Sequence, residues 1–206
     1  MLLKVCGLSI KSNLAALEDL PVDFLGIIHF PKSVRHQGEG EINELLSQLK
    51  HPEKAVLVTV NHELEALKVL LNETGISKVQ LHGSEDDNYC ETLQHQGIYV
   101  IKAINIDQQL PAALLISYKH VDAFLFDTKG KLPGGNGISF NWNVLSEYQM
   151  KQPFLLSGGL QLSLLEELKQ FKHSKLMAYD INSGFETSPT VKNIEEIRTF
   201  YKAIQA

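Results

Sequence analysis

Short apolar runs alternate with longer amphipathic segments along the chain, and this alternation predicts strands that are each followed by a helix. The apolar runs predict strands at residues 2–6, 24–30, 55–60, 78–81, 99–104, 123–126, 154–156 and 176–181. The amphipathic segments predict helices at residues 11–20, 40–49, 62–73, 85–96, 108–119, 141–148, 163–171 and 194–204. The pattern therefore indicates eight strand–helix units in succession.

The predicted strands are apolar on both faces, which is typical of parallel strands covered by helices. Repeated units of about 25 residues with such strands favour a closed parallel sheet. We therefore expect an α/β protein that forms a single (β/α)8 TIM barrel domain over residues 1–206. An open doubly wound sheet is the alternative architecture. No Pro/Gly/Ser-rich linker divides the chain, so a second domain is not expected.

The composition indicates which kinds of partner and which cellular compartment to expect. The residues are 44% hydrophobic and 21% charged, and the formal net charge of -5 argues against a nucleic-acid partner. No apolar run approaches the roughly 20 residues that span a bilayer, and the N-terminus lacks a signal-peptide pattern. The two cysteines, Cys6 and Cys90, have neither a disulfide framework nor a metal-binding spacing. We expect a cytoplasmic protein without a membrane partner.

Polar residues and glycines follow the predicted strands, at the rim where barrel enzymes carry their active sites. The clearest case is the strand at 123–126, which ends at Asp127 and continues into a loop with Gly134, Gly135 and Gly137. Such a loop can turn several backbone N–H groups toward one phosphate. The other strands lead to Cys6, Gly7, Ser33, Arg35, Asn61, His82, Lys102, Ser157, Gly158, Gly159, Asp180, Asn182, Ser183 and Gly184.

Residues two apart on a strand share a face, and three polar pairs occur at this spacing. They are Lys4 with Cys6, Gln80 with His82, and Asp180 with Asn182. Polar groups are costly against an apolar helix layer unless they are hydrogen-bonded, so we expect these pairs to point into the barrel. The sequence thus predicts a polar pocket at the carboxyl ends of the strands.

Seven short motifs in this order resemble the phosphoribosylanthranilate isomerase family, and together they cover nearly the whole chain. They are KVCG at 4–7, FPKSVR at 30–35, VQLHG at 79–83, IKAI at 101–104, FDT with GGNGISFNW at 126–142, LLSGGL at 155–160 and DINSGFE at 180–186. The resemblance implies a (β/α)8 barrel enzyme of tryptophan biosynthesis, hence of aromatic amino-acid biosynthesis, which acts on a small phosphosugar by an Amadori rearrangement. It implies no metal and no organic cofactor, and we expect a monomer.

The resemblance assigns the proton transfers to Asp127 and Cys6. Asp127 would be the general acid that opens the ribose ring, which requires a pKa raised by the low-dielectric barrel mouth. Cys6 would be the general base, and Lys4 on the same face is expected to favour its thiolate. From the residues alone, a small buried hydrophobic residue is the favoured interpretation of Cys6, and Cys90 keeps that interpretation.

The resemblance also assigns substrate binding. Arg35 matches the family's arginine that pairs with the anthranilate carboxylate, although a solvated loop charge is the alternative from the residues alone. The substrate phosphate would lie on Gly135, Asn136, Gly137, Gly158, Gly159, Asn182 and Ser183. The pocket would be lined by Lys4, Gln80, His82 and Asp180.

Three residues depart from the family pattern. Asn182 replaces a serine, Phe185 replaces a valine, and Asn141 replaces an aspartate. Because a phosphate can be held by the backbone N–H of Asn182, the first change is expected to affect affinity more than activity. Asn141 lies at a predicted helix start, where either residue can cap.

Two other functions compete with isomerisation. A lyase or aldolase barrel would form a Schiff base through Lys102 or Lys129, which needs a desolvated lysine in the pocket. In the isomerase interpretation, Lys102 is instead expected to be a structural lysine that points into the barrel. The second competitor is a phosphosugar-binding barrel without catalysis.

Overall fold

Eight parallel strands form a closed barrel in which each strand pairs with the next along the chain. The structure is a computed structural model, and it describes residues 1–9, 13–128 and 139–205. The strands are β1 Leu2–Leu8, β2 Phe24–His29, β3 Ala55–Thr59, β4 Lys78–Leu81, β5 Tyr99–Ile106, β6 Ala123–Thr128, β7 Phe154–Leu156 and β8 Leu176–Ile181. The last strand pairs with β1, from Leu2 opposite Ala178 to Val5 opposite Ile181. The barrel prediction is confirmed, and the open sheet is wrong.

Helices surround the barrel. The α-helices are α1 Leu14–Glu18, α2 Glu39–Gln48, α3 Leu64–Thr74, α4 Asp87–His95, α5 Ala112–Ser117, α6 Leu165–Gln170 and α7 Ile194–Gln205. The 3₁₀ helices are Pro52–Lys54, Trp142–Glu147, Leu162–Leu164 and Ser183–Phe185. Within the part of the chain that the structure describes, no helix combines the length and apolar character needed to cross a membrane.

The helix after β6 differs from the prediction, because Trp142–Glu147 is a 3₁₀ helix and not an α-helix. Asn141 accepts a hydrogen bond from the Asn143 N–H at 3.1 Å through its side chain, and it accepts one from the Val144 N–H through its carbonyl. The Ser146 hydroxyl bonds back to the Asn143 carbonyl at 2.7 Å. Such local side-chain bonds compete with the i to i−4 ladder and keep the turn tight.

A short antiparallel hairpin lies between β8 and α7, and the hydrophobic pattern did not predict it. Its strands are β9 Glu186–Ser188 and β10 Val191–Lys192, with Thr190 at a positive φ of 73° between them. Lys192 pairs with Glu186 in the hairpin register. The hairpin therefore brings an acidic and a basic residue side by side next to the end of β8.

Two apolar layers fix which way each strand residue points. The smaller layer fills the barrel and contains Val56, Ile101, Ala103, Ala123, Leu125, Leu155 and Ala178. Lys102 alternates with the inward residues Ile101 and Ala103, so it points outward into the helix layer. There its Nζ lies 2.9 Å from Glu85 Oε2 and 5.7 Å from the centre of the Tyr118 ring. The prediction that Lys102 points into the barrel is wrong.

Strand β1 contains a bulge at Gly7, directly after Cys6. Cys6 pairs with Gly26, whereas the next paired residue is Leu8 with Ile27, so Gly7 is the extra residue. Gly7 has φ of +77°, and a Cβ there would lie 2.6 Å from both Arg35 Cδ and Asn182 Oδ1. The bulge thus needs glycine for both its backbone conformation and the close approach of two neighbouring side chains.

Candidate active site

A cavity opens at the carboxyl ends of the strands and encloses about 730 Å³, counted out to open solvent. Its lining includes the predicted residues Cys6, Arg35, Gln80, His82, Asp127, Gly158, Gly159, Asp180, Asn182 and Ser183. Lys4 does not line it and lies beneath Cys6 on the same inward face of β1. Gly135, Asn136 and Gly137, predicted to bind phosphate, lie outside the described residues, as does Lys129. The cavity therefore gathers ten predicted residues from six strands and the loops that follow them.

Cys6 is buried above an ion pair inside the barrel. The Lys4 Nζ donates to Asp180 Oδ1 at 2.8 Å, and the Ser157 hydroxyl donates to Asp180 Oδ2 at 3.0 Å. Burial raises the pKa of the Cys6 thiol, and the opposing charge of Lys4 does not overcome it. Lys4 acts in the expected direction, but the Asp180 carboxylate next to it also favours the neutral thiol. Lys4 therefore lowers the pKa of the Cys6 thiol as expected, but burial raises it by more.

Strand β2 leaves space for the thiol. Gly26 is the barrel partner of Cys6, and a Cβ at Gly26 would lie 2.8 Å from Cys6 Sγ and 3.0 Å from Cys6 Cα. Real Cβ atoms essentially never approach other atoms this closely. The position of Sγ therefore depends on the absence of a side chain at residue 26.

Asp127 is held at the end of β6 by its own backbone and by β4. Its Oδ1 accepts a hydrogen bond from the Thr128 N–H at 2.8 Å, and its Oδ2 lies 3.3 Å from His82 Nε2. The Gln80 side-chain amide lies 3.1 Å from His82 Nδ1. With the Gln80 nitrogen as donor, Nδ1 accepts and Nε2 carries the ring hydrogen, which lies near Asp127 without a hydrogen bond of good geometry. Gln80 and His82 thus form an inward pair that faces the carboxylate, as the alternation of β4 predicts.

Arg35 is not a solvated loop charge. Its Nε and Nη2 donate to the two carboxylate oxygens of Glu186 at 2.9 and 2.6 Å. Lys192 donates to Glu186 Oε1 at 2.7 Å and to Asn182 Oδ1 at 3.0 Å. Because Glu186 occupies the Nε/Nη2 edge of the guanidinium, the Nη1/Nη2 edge remains for a ligand in the cavity.

The structure shows the contacts of the three residues that depart from the family pattern. The Asn182 side chain faces Lys192, which leaves its backbone N–H as the group for a ligand. Phe185 is fully buried and packs edge-on against Phe200 at 5.0 Å between ring centres, so it lies under the rim and outside the cavity. Asn141 caps the 3₁₀ helix Trp142–Glu147 through its side chain.

Comparison with known proteins identifies the family to which this barrel and its motifs belong. The family model described as N-(5'phosphoribosyl)anthranilate (PRA) isomerase matches residues 3–203. The chain belongs to the phosphoribosylanthranilate isomerase family. An N-(5'-phosphoribosyl)anthranilate isomerase of Phocaeicola vulgatus is 39% identical over 206 residues, which cover 100% of this chain and 98% of the relative.

Solved structures of phosphoribosylanthranilate isomerases have the same fold. The isomerase of Thermotoga maritima superposes with a TM-score of 0.84 at 27% identity, covering 100% of this chain and 99% of that one. A second structure was solved in complex with reduced 1-(o-carboxyphenylamino)-1-deoxyribulose 5-phosphate. It superposes with a TM-score of 0.82 at 26% identity, again covering 100% and 99% of the two chains. The resemblance inferred from the motifs is therefore confirmed.

Several cavity residues were not among the predicted site residues of this phosphoribosylanthranilate isomerase family member. One group is apolar and comprises Ile28, Phe30, Val58 and Val60. The alternation of β2 and β3 contains the signal for these residues, since each pair is two apart. Ser157, which holds Asp180, follows β7 directly and was visible as a strand-end residue. Glu186 and Lys192 had no such signal, because their contact depends on the unpredicted hairpin.

Among the described residues, no group of three or more His, Cys, Asp or Glu side chains could hold a metal ion. Cys90 is buried in the outer layer, and burial raises the pKa of its thiol to about 12. Cys90 thus matches the interpretation of a buried apolar residue.

Proposed function

We propose that this chain isomerises N-(5'-phosphoribosyl)anthranilate to 1-(2-carboxyphenylamino)-1-deoxy-D-ribulose 5-phosphate, a step of tryptophan biosynthesis. The observation that carries the proposal is the presence of an acid, a thiol and an arginine fork in one cavity of a barrel from this family. Asp127 is the general acid, Cys6 is the general base, and Arg35 binds the anthranilate carboxylate.

The first step opens the sugar ring. The C1'–O4' bond breaks, the anthranilate nitrogen lone pair forms a C1'=N double bond, and the ring oxygen takes the proton of Asp127. The Thr128 N–H holds the Asp127 carboxyl group at 2.8 Å, and His82 Nε2 lies 3.3 Å from its other oxygen. Proton transfer by a positioned side chain of this kind contributes typically about 10²–10⁴-fold to the rate.

The second step moves a hydrogen from C2'. The Cys6 thiolate removes the C2' proton, the C–H electrons form a C1'=C2' bond, and the iminium nitrogen becomes neutral. Protonation of the resulting enolamine at C1' and loss of the C2' hydroxyl proton give the ketone. These steps need only proton transfers, so the proposal includes no metal and no cofactor.

The two anionic ends of the substrate define its orientation. The carboxylate faces the free edge of Arg35, for which a planar fork is suited. The phosphate lies on backbone N–H groups after β7 and β8, at Gly158, Gly159, Asn182 and Ser183. The glycine-rich loop with Gly135, Asn136 and Gly137 contributes to the same phosphate site in this proposal. A phosphate site after the seventh and eighth strands is frequent in such barrels.

The lyase or aldolase alternative is disfavoured by the position of Lys102. The Lys102 ammonium donates to the carbonyls of Leu81 and Gly83 at 3.3 and 2.7 Å and to Glu85 at 2.9 Å, which uses all three donors. Its outward position also removes it from the cavity. A cytoplasmic location and a monomeric state stay predictions.

The test follows the fluorescence decay of freshly generated phosphoribosylanthranilate after addition of purified protein. We expect rapid decay with the natural chain and a loss of turnover of about 10²–10⁴-fold with Asp127→Asn or Cys6→Ala. Cys90→Ala is the matched control, since it removes a thiol outside the cavity and should retain turnover.

Each negative result of this test would exclude a different part of the proposal. A folded natural chain that produces no decay would remove the proposed reaction. Decay with full turnover in Cys6→Ala would remove only the base assignment. A natural chain that binds the substrate without converting it, with equal affinity in both site variants, would point to a phosphosugar-binding barrel without catalysis.

A further inference from the structure

Three charged side chains form a buried row from the hairpin to the cavity. Arg35 has 13% of its side chain exposed, Glu186 has 4%, and Lys192 has none. Burial lowers the pKa of Lys192, and the charge of Glu186 opposes this change. With all three side chains ionised, positive, negative and positive charges alternate along the row, and its net charge is +1. Arg35 lines the cavity at one end, and Lys192 is enclosed at the other.

Burying these three charged side chains is energetically unfavourable. Removing three charges from water is unfavourable, and only close pairing with well-placed hydrogen bonds offsets that cost. Here Glu186 receives two hydrogen bonds from Arg35 and one from Lys192, and Lys192 is also bonded to Asn182. Burial by itself raises the pKa of Glu186, but the Arg35 hydrogen bonds and the Lys192 charge outweigh it and hold the pKa low. Glu186 is therefore a carboxylate at neutral pH.

We propose that Glu186 and Lys192 are positioning residues that set the affinity of Arg35 for the aryl carboxylate of the substrate. The inference rests on the proposed function. Glu186 fixes the plane of the guanidinium through the edge that faces the hairpin, so the other edge meets the cavity at a defined angle. Gly7 limits the Arg35 stem from the opposite side, where no Cβ would fit against Arg35 Cδ.

Lys192 has a different role from Glu186. Without Lys192, Arg35 and Glu186 would form a neutral pair, which attracts an anion weakly. With Lys192 the row carries one net positive charge, although Lys192 itself does not line the cavity. Glu186 thus determines the geometry of carboxylate recognition, and Lys192 determines its charge.

The experiment compares two substrates, phosphoribosylanthranilate and N-(5'-phosphoribosyl)aniline, which lacks the carboxylate. Product formation is measured by chromatography for both. For Lys192→Met we expect the KM for the anthranilate substrate to rise about tenfold, because the substrate carboxylate loses its attraction to one positive charge. The kcat should change by less than about threefold. The KM for the aniline substrate should not change. Lys192→Arg, which keeps the charge, should restore most of the affinity for the carboxylate.

Two controls make the result decisive. Lys169→Met removes an exposed lysine that is paired with Glu166 on α6, and it should change neither KM. If Lys192→Met does not fold, the double variant Glu186→Gln with Lys192→Met removes both buried charges together. The row then keeps the positive charge of Arg35 but loses the carboxylate that fixes the guanidinium plane, so the KM should rise for the anthranilate substrate alone.

An equal change of KM for both substrates would mean that the row only supports the fold and would overturn the proposal. No change for either substrate would overturn it as well. Failure of the proposed function would be seen separately, because the natural chain would then not convert phosphoribosylanthranilate at all.

Discussion

Removing the Glu85 side chain should destabilise the barrel strongly, although Glu85 is outside the cavity. Its carboxylate is 2% exposed and lies 2.9 Å from Lys102 Nζ. It also accepts hydrogen bonds from the backbone N–H of Asn61 at 2.7 Å and of Gly83 at 3.0 Å. Glu85 therefore connects the loops after β3 and β4 to strand β5.

The size of the effect follows from these contacts. In Glu85→Ala, Lys102 loses its carboxylate partner and retains the carbonyls of Leu81 and Gly83. Breaking a buried ion pair by removing one partner costs about 3–5 kcal/mol, a large part of the 5–15 kcal/mol that typically stabilises a domain. Lys102→Met should cost less, because Glu85 keeps two backbone donors.

Urea unfolding measures these costs. Trp142 is the single tryptophan and lies buried at the start of a 3₁₀ helix, so its fluorescence reports unfolding alongside circular dichroism. The double variant Glu85→Ala with Lys102→Met should be more stable than the sum of the single costs predicts, since it removes both charges together. A Glu85→Ala cost below about 1 kcal/mol would refute the reasoning. So would strict additivity in the double variant.

Two further predictions concern the thiol. Gly26→Ala should lower kcat with a smaller effect on KM, because the new Cβ would lie 2.8 Å from Cys6 Sγ and displace the sulfur atom. An unchanged kcat in steady-state kinetics would contradict this prediction. Because burial raises the pKa of Cys6, the limb of kcat/KM that rises with pH should have its midpoint above the ordinary thiol value of about 8.5, and it should be absent from the residual activity of Cys6→Ala. A midpoint near pH 6 would exclude Cys6 as its source.

The sequence predicted the features that depend on periodic burial. Strands apolar on both faces identified the barrel, and strand ends with polar residues identified the rim on which Cys6 and Asp127 lie. The hydrophobic pattern did not predict elements that are too short to show a periodicity. The strands Glu186–Ser188 and Val191–Lys192 have three and two residues, and polar residues dominate them.

The hydrophobic pattern also did not predict which charged residues pair with each other. Strand β5 is apolar on both sides of Lys102, so alternation could not show which face is inward. The pKa of Cys6 likewise depends first on its burial in the closed barrel and then on Lys4 and Asp180, which come from opposite ends of the chain. Such long-range pairs follow from barrel closure and not from local sequence.

The bulge at Gly7 makes the length of β1 more important than the identity of most of its residues. Lys4 and Cys6 point into the barrel, and simple alternation would send Leu8 inward as well. Because Gly7 is an extra residue, Leu8 pairs with Ile27 and is fully buried in the outer apolar layer. Deleting Val5 would turn Cys6 away from the barrel interior and shift the loop that follows, whereas conservative substitutions at Leu3 or Val5 would keep every face. In a set of sequence variants, β1 should thus tolerate changes of side chain but not insertions or deletions.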